Sequence, residues 1–333
     1  MLQAYTSASD FSHVKGIVYQ EGNSSQKKNE GKVCFNERRT FIKDLDILPL
    51  PARELLPNQE YIHSGKKQYG YSITTVMSTR GCPFHCDFCS NVVFGGSYRE
   101  RSPQNVVDEI ENALSLGYDR ISFADDVFTK KKERVLKICN EINKRGLHFL
   151  WECLGRVDSI DYPTALEMKK AGCFRIFFGI ESGNENILKL MKKEITIEQA
   201  RMAVDAASRA EIQVGAFFII FYPGETQQTI LDTLRFSASL PLDYLGLTLP
   251  YFLPGTALFD RLAGFSENDL NPNKDFGVNQ NLSYKSNFSQ LKMKFGILKG
   301  RTQFEIKKRF GKKVPILVTF FEKSTDLLFK LLK

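Results

Sequence analysis

Three cysteines packed into eight residues limit what this 333-residue chain can be more than any other feature. Residues 78–90 read STRGCPFHCDFCS, so Cys82, Cys86 and Cys89 are separated by three residues and then by two. The apolar, β-branched run at 73–77 leads directly into them, which predicts a strand ending in a metal-binding loop. Thiolates are soft ligands that select zinc, copper(I) or iron–sulfur clusters, and a segment this short wraps one compact centre. Gly81 and Pro83 interrupt regular structure and leave the backbone free to curl around it. With only three thiolates, a four-iron cluster keeps one iron without a protein ligand.

Two plainer readings stand beside this one. His85 completes a structural zinc site with the three cysteines, although structural zinc ligands usually come as two pairs separated by about a dozen residues. Alternatively, three of the seven cysteines cluster by chance in a reduced loop. The zinc reading leads to a non-catalytic, zinc-stabilised binding module rather than an enzyme.

The spacing C-x3-C-x2-C, with Phe88 just before the last cysteine, resembles the cluster motif of the radical S-adenosylmethionine (radical SAM) enzymes. Gly81-Cys82-Pro83 and Phe88-Cys89-Ser90 are similar to the branch whose members often carry an N-terminal cobalamin-binding domain. That branch includes methyltransferases and the anaerobic ring cyclases of chlorophyll synthesis, and the resemblance covers about residues 14–262. It implies a 4Fe-4S cluster on Cys82, Cys86 and Cys89, with S-adenosylmethionine (SAM) chelating the open iron. Reductive cleavage of SAM would give a 5′-deoxyadenosyl radical that abstracts hydrogen from an unactivated carbon, leading to methylation or oxidative cyclisation. An electron donor such as flavodoxin or ferredoxin, a small-molecule or lipid- or tetrapyrrole-like substrate, and activity only without oxygen follow from the same resemblance. The cobalamin domain is missing here, so either cobalamin enters through a lost domain or a separate cobalamin-binding protein, or this member works without it. A transfer-RNA methylthiotransferase would share the barrel but should add a cysteine-bearing N-terminal domain and a C-terminal RNA-binding barrel, neither evident in the sequence.

A hydrophobic content of 42% is enough to bury a real core. Neither a signal peptide nor a bilayer-spanning run is indicated, and an odd cysteine count with one cluster suits a reducing compartment, so the expected location is cytoplasmic. The net charge of +8 is concentrated: residues 291–333 hold 12 Lys and Arg against 3 acids, and the rest hold 34 against 35. The basicity therefore belongs to the tail and describes what the C-terminus touches.

In chain order, residues 1–70 read as a hairpin and linker, 71–262 as a barrel, and 263–333 as an irregular segment followed by a basic amphipathic helix. Short runs at 16–19 and 32–35 flank a polar loop, and Pro49 and Pro51 bias the linker to extended structure. Candidate strands lie at 73–77, 120–124, 148–154, 175–180, 214–221 and 244–249, alternating with helical patterns at 103–116, 132–144, 162–170, 184–191, 197–210 and 226–239. Six such repeats predict an α/β fold with a parallel sheet, satisfied by a partial (βα)6 TIM-type barrel. The tail from 304 onward either docks on the barrel, meets an anionic membrane as a peripheral contact, or binds nucleic acid.

In such barrels the chemistry sits at the C-terminal strand ends. The second strand ends in Asp125 and Asp126, one of which is expected to accept the SAM ammonium, with capping of the next helix as the alternative. The third leads to Arg156, which either pairs with a SAM or substrate carboxylate or forms a salt bridge to Asp158 or Glu181. The fourth ends in Glu181 and Ser182, expected on the cofactor side, with Ser182 as an alternative helix cap. The fifth carries Phe221 where relatives usually have glycine, so its ring either stacks on the adenine or marks a differently shaped strand end. Phe88 is counted with the cofactor side, Lys192 and Lys193 with a solvated face, and Cys139, Cys153 and Cys173 with the core as isolated small hydrophobes.

Overall fold

The computed structural model describes residues 11–21, 32–90, 94–253, 255–262, 287–310 and 314–332. The chain divides into two compact units, Met1–Asp44 and Leu45–Lys333. The first holds an antiparallel hairpin of β1 (Val18–Glu21) and β2 (Lys32–Phe35), in which Val18 faces Phe35. The loop at 22–31 and, of the excursion expected over 266–289, residues 266–286 lie outside the described residues.

The second unit opens with a helix, α1 (Asn58–Tyr69), in the last part of the expected linker. Its sequence is polar almost throughout and buries little beyond Asn58 and Ile62, so apolar periodicity could not reveal it. Asn58 fixes its start by donating to the Arg53 carbonyl at 2.6 Å, and Gly70 ends it at φ 80°.

Strand β3 (Ile73–Val76) is followed by the short pair β4 (Thr79–Arg80) and β5 (Arg99–Glu100), then β6 (Arg120–Phe123), β7 (Leu150–Gly155), β8 (Cys173–Glu181), β9 (Gln213–Ile219) and β10 (Tyr244–Thr248). The main sheet has the order β10-β9-β8-β7-β6-β3, with every neighbouring pair parallel. Each strand is thus added beside its predecessor, the winding of an open (βα)6 barrel rather than of a doubly wound sheet.

Between the strands lie α2 (Pro103–Ser115), α3 (Lys132–Lys144), α4 (Tyr162–Lys170), α5 (Glu185–Leu190), α6 (Ile197–Arg209) and α7 (Gln227–Ser239). Their ends are set by local chemistry. Ser102 accepts the Asn105 N–H at 3.2 Å with Pro103 behind it, and Thr196 and Gln199 form a reciprocal capping box. Alternate strand residues, such as Ile176, Phe178, Val214, Ala216 and Phe218, enter the core beneath the helices. Cys139, Cys153 and Cys173 are buried there as expected, but near one another rather than apart: the reduced thiol of Cys153 lies beside that of Cys173, which in turn lies in the field of Cys139.

After α8 (Ala257–Leu262), the tail forms two helices, α9 (Gln290–Phe310) and α10 (Pro315–Leu331), where one was expected. Pro315 starts the second because proline suits a first helical turn and not a helix interior. The docking alternative is the one observed. Gly296 approaches Phe221, Gly300 approaches Leu247 and Leu234, and Lys308 donates to the Asp243 carbonyl at 2.7 Å, so α9 runs antiparallel to β10 as the outer helix of the sixth strand. A Cβ at Gly300 would stand 2.5 Å from Leu247, which is why glycine occupies that contact.

One buried ion pair joins the two tail helices. Lys299 Nζ lies 2.7 Å from Asp326 Oδ1 as a charge contact and donates to Gln303 at 2.8 Å, while Arg235 of α7 also pairs with Asp326. Removing one buried partner leaves the other charge uncompensated. Asp326→Ala is therefore expected to lower the unfolding free energy by about 3–5 kcal/mol, and Lys299→Met with Asp326→Leu by much less, as read from urea denaturation.

Candidate cluster and cofactor site

The cysteine loop leaves the C-terminal end of β3 and is closed at its base by β4 and β5, with Arg80 opposite Arg99. The Asp125 carboxylate, at the end of β6, accepts the Ser78 N–H at 2.6 Å, the Thr79 N–H at 3.0 Å and the Ser78 hydroxyl. Gly81 has φ 86°, and a Cβ there would stand 2.8 Å from the Gly95 carbonyl oxygen, so only glycine lets the outgoing and returning arms meet. Arg99 ties the returning arm by donating to the Phe94 carbonyl at 2.7 Å.

The middle of the loop is held by Asp87, which is almost fully buried. Its carboxylate accepts the Tyr222 hydroxyl and pairs with Arg261 at 3.0 Å. Its backbone N–H donates to the Met191 carbonyl at 3.0 Å, and its carbonyl accepts the Leu258 N–H at 2.8 Å. Phe88 packs beside it against Ile187, Met191, Ile219, Tyr222 and Leu258. Phe84, on the other side, lies under the Arg156 guanidinium at 3.5 Å.

The three cysteines form no disulfide with one another, and Cys89 lies in the field of Cys86 and Cys82, as Cys86 does in that of Cys82. Burial pushes the Cys86 thiol up, opposed by the positive charges of Lys193 and Arg156. Burial and the neighbouring Cys86 and Cys82 push Cys89 up to about 11. Lys193 stands beside them, bonded to Glu181 at 2.9 Å; burial works against its ammonium, but the Glu181 carboxylate outweighs it and the net shift is upward. Glu181 reaches this place through a β-bulge and a left-handed backbone, φ 71°. A Cβ on Gly179 would stand 2.5 Å from Glu181 Oε1 and 3.0 Å from Lys193 Nζ, so the bare glycine is the cradle for the ion pair.

Among the described residues, no three His, Cys, Asp or Glu side chains meet around a point suited to a single metal ion. His85 is exposed with its ring facing Gly96. Thiols that share a loop and a field without sharing a point fit a cluster in which each takes a different iron. The donor chemistry, one soft thiol set beside one ammonium, suits a cluster of net negative charge.

The other expected cofactor residues are placed unevenly. Asp125 is spent on the loop base, and burial pushes its carboxyl up against the pull of Ser78. Asp126 is exposed beside Cys89 and accepts no hydrogen bond from a described residue, and the 3-10 turn after it has no side-chain cap. Arg156 is not free for a ligand: it pairs with Asp158 at 3.0 Å and donates to the Lys193 and Glu194 carbonyls at 2.7 and 2.8 Å. Ser182 is fully buried and bonded to Thr233 at 3.1 Å, while accepting the Asn184 N–H at 3.1 Å, which turns it from the cofactor side. Phe221 has φ 64°, and its ring packs against Phe288, Phe329 and Gly296 of the tail, so the reading that it stacks on adenine gives way to a differently shaped strand end. Lys193, assigned to solvent, is instead largely covered, with its side chain 11% exposed. Asp87, Tyr222 and Arg261 escaped sequence reading because nothing local links them.

Residues 76–237 match the family model described as the Radical SAM superfamily. The chain carries a radical SAM domain. An uncharacterised methyltransferase of Pyrococcus horikoshii is 33% identical over 262 residues, covering 78% of this chain and 54% of that protein. The anaerobic magnesium-protoporphyrin IX monomethyl ester cyclase of Rubrivivax gelatinosus is 31% identical over 253 residues, covering 75% of this chain and 43% of that one. This radical SAM chain thus spans about half the length of the curated relatives it matches. In fold, it superposes on the cobalamin-dependent S-adenosylmethionine radical enzyme OxsB with a TM-score of 0.68 at 19% identity, over 98% of this chain and 54% of that one.

If Asp87 holds the loop of the radical SAM domain, Asp87→Asn should weaken iron retention by about tenfold or more, measured by iron release to a chelator, with the circular dichroism spectrum unchanged. Glu225, whose Oε1 is buried without a partner, is pushed by burial up to about 8, against the pull of the Tyr222 N–H. A carboxyl raised on folding binds its proton more tightly in the folded state, so stability falls as pH rises from about 4.5 to 8, by at most about 1.4 kcal/mol per pH unit. Urea midpoints of Glu225→Gln should lack that component of the slope.

Proposed function

We propose that this chain is the catalytic part of a radical SAM enzyme that takes a hydrogen atom from an unactivated carbon of a small-molecule substrate. The observation that carries the reading is the position of Cys82, Cys86 and Cys89 beyond the first barrel strand, in one another's fields and beside the Glu181–Lys193 pair. Bound there, a 4Fe-4S cluster and SAM would supply reductive cleavage of the sulfonium and a 5′-deoxyadenosyl radical.

The part of the protein is to hold, orient and shield. Asp125 and Asp87 fix the base and the middle of the loop, so the three sulfurs are preorganised. With Asp125 engaged, Asp126 is the rim carboxylate left to accept the ammonium of SAM. The Lys193 ammonium offsets negative charge gathering at the thiolates. The names of the relatives support methyl transfer or oxidative ring closure as the outcome. Cobalamin would come from a separate domain or protein, and the electron from a donor of the flavodoxin or ferredoxin class.

Anaerobic reconstitution with iron and sulfide should give a brown protein with about four irons per chain, and SAM with dithionite should then give 5′-deoxyadenosine. Cys86→Ala should reduce both to background. A colourless protein that holds one zinc and leaves SAM intact would sink the reading.

A further inference from the structure

The inner face of the sheet, opposite the helices, carries an aromatic wall that the cluster loop does not use. Phe177 on β8 and Phe217 on β9 stack with centroids 5.5 Å apart and planes only 14° from parallel. Strand alternation puts them there: their neighbours Ile176, Phe178, Ala216 and Phe218 enter the core, and these two point away from it.

Both rings lie flat because the strands beside them lack side chains. Phe177 is paired with Gly215, where a Cβ would stand 2.5 Å from its Cε1. Phe217 is paired with Gly246 on one side, where a Cβ would stand 2.6 Å from its Cδ1, and with Gly179 on the other. Leu154, opposite Phe177 on β7, extends the wall. Phe217 is 40% and Leu154 39% exposed, unusual for large apolar groups at the centre of a sheet.

Charge borders the wall at both ends. One row toward the strand C-termini is the Glu181–Lys193 pair, whose atoms lean over Gly179, the register partner of Phe217. One row toward the N-termini, Glu152 and Arg175 pair at 3.3 Å. The wall is therefore an apolar strip within the barrel, and its upper edge is the edge of the cysteine loop.

We propose that the substrate lies on Phe177 and Phe217, and that it is a planar apolar ring system held face to face with them. Flat rings resting on glycine backbone offer an extended, rigid surface, and aromatic faces prefer an offset parallel partner. A strongly charged substrate would find no polar partner on the rings themselves, and a flexible chain would leave their flat faces unmatched. This inference rests on the functional reading above, because it takes the strip beside the cysteine loop to be where the reacting carbon is held.

The test uses the reconstituted protein and 1-pyrenemethanol, a flat fluorescent probe, titrated without oxygen. Binding to wild type is expected, weakened about tenfold in Phe217→Ala and in Phe177→Ala and retained in Phe217→Trp. Iron content at the wild-type level shows that each variant is folded, and Phe217→Leu, which keeps bulk without a flat face, should bind as weakly as the alanine variant. Equal probe affinity in wild type, Phe217→Ala and Phe217→Leu, with iron retained, would overturn the wall as a binding site. Displacement of the probe by dodecanol as readily as by pyrene would overturn the assignment of a planar ligand. A wild-type chain that takes up no cluster would instead overturn the functional reading beneath it.

Discussion

Two buried carboxylates hold the cysteine loop to the barrel. Asp125, from the second strand end, gathers the backbone where the loop begins, and Asp87, from within the loop, reaches Tyr222 and Arg261 far along the chain. Neither is where a ligand would need it. Each fixes backbone that would otherwise be a glycine- and proline-interrupted coil, so that three thiols arrive together. The ordering entropy of such a loop runs to about 1–2 kcal/mol per residue, and charged hydrogen bonds are among the few contacts strong enough to offset it.

The rest of the rim is built around that loop. Glu181 accepts a left-handed backbone to meet Lys193, and Gly179 leaves the space they occupy. Arg156 lies over Phe84 and grips the carbonyls of Lys193 and Glu194, joining the loop to the segment that carries the lysine. Strain, an ion pair and a cation–π contact thus converge on one side of the cysteines, the pattern of a place where the backbone is held for chemistry rather than for stability.

What was legible in the sequence was local. The six barrel strands and the helices between them were readable because alternation, caps and terminal glycines act within a few residues: α3 spans Lys132–Lys144 and α4 Tyr162–Lys170, as the pattern predicts. The cysteine spacing named the family for the same reason. What escaped depends on distance. Asp87 looks like any loop aspartate until Tyr222 is folded beside it, and Lys193 looks solvated because its partner is twelve residues away on a bulged strand end. At Arg156 and Ser182 the sequence leaves a ligand role and a structural one open, and the fold decides for Asp158 and Thr233 as their partners. Phe221 could not be oriented without the tail, whose helices receive its ring.

The outer helix of the sixth strand has a consequence for how the fold is reached. Each strand of the main sheet pairs with the one added before it, so the sheet can grow from one edge as the polypeptide emerges. The final strand waits for its cover. Its flank, with Leu247, Leu234 and Phe221, is covered by the tail helices, the first of which follows after about forty further residues. Until then a nascent chain presents a greasy, unfinished side, and a segment made well after the sheet is the one that covers it.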